Sequence, residues 1–109
     1  MSETDLASKH CVPCSGGVPK LWGLQLEHYA KQVPEWKVDS EHHLERTFKF
    51  PDFKSALAFT NNVGEVAEAE GHHPDIALSW GKVTVTIWTH KIDGLSEADF
   101  VLAAKISRL

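Results

Sequence analysis

The chain has 109 residues, 42% of them apolar and 24% charged, and a formal net charge of −4. That is the length and balance of one soluble globular domain. The negative charge argues against a nucleic-acid partner, since phosphates need a basic face. No apolar run approaches the roughly 20 residues that cross a bilayer, and residues 1–10 lack an apolar signal core. A cytoplasmic protein with no membrane partner is expected.

Residues 1–19 read as a loosely ordered leader and 20–109 as a single domain. The leader carries His10, Cys11 and Cys14 in His-Cys-Val-Pro-Cys. Such a pair serves redox sites or forms half of a zinc site. No second pair exists, and glycines and Pro19 follow where a redox motif would want a helix, so the reading favours a structural or incidental pair. Residues 21 to about 33 are predicted helical on Leu21, Leu24, Tyr29 and Val33, with Pro34 as the stop. A short strand over 36–38 and a polar turn at Glu41-His42-His43 come next. The strand predicted over 44–50 carries Leu44, Arg46, Phe48 and Phe50 on one side.

Pro51-Asp52 opens a second predicted helix, with proline in its first turn, running to about Glu70. Phe53, Leu57, Thr60, Val63 and Ala67 form its apolar stripe, and Ala56, Phe59 and Val66 widen it. Gly71 is its left-handed terminator. Ile76, Leu78 and Trp80 then alternate with polar or small residues, Gly81-Lys82 is a tight turn, and Val83, Val85 and Ile87 alternate with Thr84, Thr86 and Trp88. This is the clearest hairpin in the chain. After a turn at Gly94, Ser96 caps a last helix, with Asp99 as the short-armed partner of a capping box. Phe100, Ala103, Ala104 and Ser107 share one face of that helix, with Leu102, Ile106 and Leu109 beside it. The order α-β-β-α-β-β-α predicts an α+β, two-layer domain: a mostly antiparallel four-stranded sheet with helices packed on one face.

His72, His73 and His90 are the candidate chemistry. Pro74 pushes His73 toward extended backbone, so the two adjacent rings should point to opposite sides. His90 shares parity with Thr84, Thr86 and Trp88, away from the apolar face. Pairing about Gly81-Lys82 sets His73 roughly opposite His90. Imidazoles titrate near neutrality and can pass protons at working pH. The same three could also bind zinc with Asp75 or Glu70 in support, although adjacent histidines on extended backbone diverge. His28 and the His42-His43 pair read as surface or half-buried histidines.

At these residues the chain resembles the pterin-4a-carbinolamine dehydratases. The resemblance rests on Glu68-Ala-Glu-Gly-His72-His73-Pro74, Trp80-Gly-Lys-Val83, Thr89-His90 and Gly94-Leu-Ser-Glu-Ala-Asp99, and spans roughly residues 20–109. The leader looks like those of bacterial members. Ile76 departs from the pattern, since many relatives carry an aromatic residue there. The resemblance implies a lyase that removes water from a 4a-hydroxytetrahydropterin, left by aromatic amino acid hydroxylases, to give the quinonoid dihydropterin. It implies His72, His73 and His90 as catalytic residues; within that set we expect His72 and His90 to move protons and His73 mainly to orient the pterin. Glu68, Pro74, Thr89 and Lys91 would join them in holding the substrate, with no metal and no cofactor. Asp99 matches a family position, although capping accounts for it, and Trp80 reads as hairpin core. Homodimers or homotetramers are implied as well. The alternatives are a pterin-binding role in molybdopterin metabolism and a protein-interaction role as a dimerisation cofactor.

Overall fold

The computed structural model describes residues 20–109; the predicted leader, with His10, Cys11 and Cys14, lies outside them. The elements are α1 (Gly23–Ala30), β1 (Lys37–Asp39), β2 (His43–Lys49), α2 (Phe53–Glu70), β3 (Asp75–Ser79), β4 (Lys82–Ile87) and α3 (Glu97–Ser107), with a 3-10 turn at His90–Ile92 before α3. The strands form one antiparallel sheet in the order β1-β2-β4-β3. This is the predicted α+β architecture. Among the described residues, no helix is long and apolar enough to cross a membrane.

Alternation builds the sheet's core face. Val83, Val85 and Ile87 are fully buried, while Thr84 and Thr86 between them are not, as a period of two requires. The register sets Leu44, Arg46 and Phe48 opposite Ile87, Val85 and Val83. Arg46 is tolerated on this face because its guanidinium lies 4.4 Å from the Phe48 ring centre and donates to Ser107 Oγ at 3.0 Å. Its stem packs while its head stays polar. Ala56 and Val63 of α2 and Phe100, Leu102 and Ile106 of α3 close the core from above.

Several local expectations shift. α1 ends at Ala30 rather than near residue 33: the Gln32, Val33 and Trp36 N–H groups bond three residues back, so the chain leaves the helix in tight turns before Pro34. Its buried residue is Leu26, and Leu24 is exposed. Pro51 precedes the cap rather than entering the first turn, because Asp52 is the N-cap. Phe53 and Leu57 are exposed, so the buried stripe of α2 runs through Ala56, Val63 and Ala67. The hairpin turn is Trp80-Gly81, since Ser79 pairs with Lys82. Trp80 is therefore not core; it is 67% exposed.

The Asp52 cap has a testable pH signature. Its carboxylate accepts from the Ser55 backbone N–H at 2.7 Å, and that bond holds its pKa below the usual 3.8. A folded-state pKa that is depressed adds stability above the unfolded value, and the gain disappears as pH falls through the lower folded value. The stability gap between wild type and Asp52→Ala, measured by urea melts, should be full at neutral pH and close below about pH 4.

Candidate active site

The site begins where α2 ends. Gly71 adopts a left-handed conformation (φ 66°, ψ 27°), which glycine accepts without a Cβ clash. The His72 N–H reaches back to Ala67 O at 3.2 Å. Between Gly71 and β3, His72 is half-buried and His73 exposed. The two rings take different partners, as their opposed directions predicted. His72 Nε2–H donates to Asp99 Oδ1 at 2.6 Å, and His73 Nε2–H donates to Glu68 Oε2 at 2.6 Å.

Asp99 is fully buried. Its Oδ2 accepts from the Ser96 backbone N–H at 2.8 Å and from Thr89 Oγ1–H at 2.8 Å, and the Thr89 and Ser96 hydroxyls lie 3.0 Å apart. A buried carboxylate requires such a shell. Capping was thus half of what Asp99 does: one oxygen starts α3, and the other fixes His72. A carboxylate acceptor assigns a proton to His72 Nε2, and in the neutral ring the lone pair is then on Nδ1.

His90 arrives differently. β4 ends at Ile87, Thr89 forms an isolated bridge with Gly94, and His90 starts the 3-10 turn. Thr89 keeps the core parity and is buried, whereas His90 is exposed and packs on Trp88 with ring centres 4.4 Å apart. Moving the hairpin turn back by one residue moves the register by two. Asp75 pairs with Thr86, which carries His73 opposite Trp88 rather than His90. The 3-10 turn still returns His90 to the same place. Gly71, His72, His73, Trp88, Thr89, His90 and Lys91 line one recess of about 290 Å³, near the lower end of small-molecule pockets, roughly 300–1,000 Å³. Pro74 and Glu68 lie outside this lining. Glu68 borders a second groove with Thr60, Gly64 and Ile76. Among the described residues, no three histidine, cysteine or acidic side chains are disposed to hold one metal ion.

A family model described as pterin 4 alpha carbinolamine dehydratase matches residues 19–109. The chain belongs to the pterin-4a-carbinolamine dehydratase family. A protein of Rubrobacter xylanophilus, provisionally named a pterin-4-alpha-carbinolamine dehydratase, is 58% identical over 106 residues, covering 97% of this chain and 99% of its own. One of the same provisional name from Alkaliphilus metalliredigens is 58% identical over 105 residues, covering 95% of each. The crystal structure of a transcriptional coactivator/pterin dehydratase from Brucella melitensis superposes with a TM-score of 0.76 at 30% identity, over 83% of this chain and 97% of that one. Membership in the dehydratase family places the chain among hydro-lyases.

Two features of this dehydratase-family site escape sequence reasoning. Trp88 reads as a hairpin residue, yet it shares His90's parity two residues away, and that spacing is the available signal. The Asp99–His72 bond had no local signal, because it depends on the end of α2 lying beside the start of α3.

Proposed function

We propose that this recess takes a 4a-hydroxytetrahydropterin and eliminates water from it to give the quinonoid dihydropterin. The observation that carries the reading is His72, with its Nε2 proton committed to Asp99, in one recess with His73 and His90. The reaction needs a proton delivered to the departing hydroxyl and a proton removed from the neighbouring ring nitrogen. The C–O bond breaks, a C=N bond forms, and no electron acceptor is required. His72 Nδ1 is the base for the ring N–H. His90, open to solvent, is the acid for the hydroxyl; afterwards His72 releases the proton it took to solvent and His90 takes one back, which resets both rings. His73, held by Glu68, orients the ring, and Thr89 and Lys91 flank His90. Positioned acid–base groups of this kind contribute about 10²–10⁴-fold.

The family resemblance supports the finer parts of the reading: recycling of tetrahydrobiopterin for aromatic hydroxylation, in the cytoplasm, by a homodimer or homotetramer. Phe53 and Leu57, exposed one turn apart on α2, are consistent with assembly. The test of function is stopped-flow dehydration of chemically generated 4a-hydroxytetrahydropterin with chelator present. The protein should accelerate water loss over the spontaneous rate, with the chelator making no difference. No acceleration, or acceleration that the chelator abolishes, overturns the proposal.

A further inference from the structure

His42 precedes β2 and His43 begins it, and the mechanism above uses neither. Both converge on Trp88, a wall of the recess. The ring centre of Trp88 lies 5.3 Å from His42, 6.1 Å from His43 and 4.4 Å from His90. The register explains the meeting: Leu44 pairs with Ile87, so the next residues outward are His43 and Trp88. A second connection runs through the turn. His42 Nε2–H donates to Asp93 Oδ1 at 2.8 Å. Asp93 closes the turn that His90 opens, and its N–H donates to His90 O at 3.2 Å. It does so at φ 50°, where non-glycine residues are uncommon.

We propose that His42 and Asp93 form a latch that positions His90, which makes His42 a positioning residue for the proton-transfer step. The latch rests on the dehydration reading above. It acts on His90 from two directions, through the Trp88 ring and through the backbone of the turn. Neither His42 nor Asp93 lines the recess, so any effect on chemistry must pass through the lining residues they hold, His90 and Trp88.

The His42 ring is itself oriented. Its Nδ1 lies 3.1 Å from His43 Nδ1, so one nitrogen must donate and the other accept. With Nε2–H committed to Asp93, His42 Nδ1 accepts from His43 Nδ1–H. Asp39 Oδ2 stands 3.7 Å from the remaining His43 nitrogen. The hydrogen bond from His42 holds the Asp93 carboxyl below the usual carboxylate range, as a formed pair requires.

A plain turn-forming role for Asp93 makes a different forecast, and Asp93→Gly separates the two. Glycine favours the left-handed turn and removes the latch. The His42 and Asp93 side chains are 33% and 84% exposed, so variants at these positions should fold. Asp93→Gly and His42→Ala should each lower the dehydration kcat about tenfold, with KM within about twofold, because positioning is lost and binding is not. In both variants the NMR ring-proton resonance of His90 should lose its displacement by the Trp88 ring current. Asp93→Asn keeps the acceptor oxygen and the turn and should retain most of the wild-type kcat. Wild-type kcat in Asp93→Gly, or an unmoved His90 resonance in both variants, overturns the latch. If the wild-type protein shows no dehydration at all, the function proposed above falls and the His90 resonance alone decides the latch.

Discussion

His72→Ala should lower the dehydration kcat about 10³-fold, within the range typical of a lost general base, while the fold survives. His72 is the recess histidine whose proton is held by a fully buried carboxylate. Removing its ring would take away the Nδ1 lone pair, the base proposed above. Asp99 loses one partner and keeps the Ser96 N–H and Thr89 hydroxyl, so the stability cost should be only about 1–2 kcal/mol. His72→Gln sharpens the point. Its amide can donate to Asp99 in place of Nε2, but it offers no base. Thermal melting should show Gln recovering much of what Ala loses, and stopped-flow should show both equally slow. A glutamine variant with wild-type kcat would mean that His72 acts only as a strut.

Asp99→Asn should damage stability and activity together. The substitution preserves shape, yet Asp99 accepts from His72, Thr89 and Ser96, and an amide turns one accepting atom into a donor. If its NH2 faces the Ser96 N–H and Thr89, the α3 cap breaks; if it faces His72, that ring must take the opposite tautomer and lose its lone pair at Nδ1. A buried mismatch of this kind costs about 3 kcal/mol, equivalent to roughly 15 °C in Tm for a domain of this size. The wrong tautomer should lower kcat by about 10²-fold or more, as loss of an orienting carboxylate does elsewhere. Because Asp99 acts through His72, the double variant should be no slower than His72→Ala alone. Additive losses would show that the two residues contribute separately.

Much of the fold was legible because its signals are local. Val83 to Trp88 alternates without interruption, Gly71 ends a long helical stripe, and Ser96 with Asp99 announces the start of α3. Boundaries moved where tertiary contacts outweigh local pattern. Trp80 completed an apolar alternation, yet the turn claimed it and left it in solvent. Phe53 and Leu57 matched the helical period, but α2 buries the adjacent face. Within the site, the alternation of His72 and His73 followed from Pro74. The partners did not. Asp99 is complete as a cap in the sequence, and nothing local marks it as the partner of His72, which folding brings within 2.6 Å. The His42-His43 pair showed nothing in the sequence because its meeting with Trp88 depends on the β2–β4 register.

The arrangement at His72 can be observed directly. Imidazole nitrogen NMR, recorded with and without a non-reactive dihydropterin, reports both the tautomer and the contact. His72 should carry its proton on Nε2, and its Nδ1 resonance should move on binding, together with signals of His90 and Thr89. A His72 protonated on Nδ1 in the free protein, or a pterin that shifts only Thr60, Gly64 and Ile76 in the neighbouring groove, would show that the chemistry has been assigned to the wrong atoms.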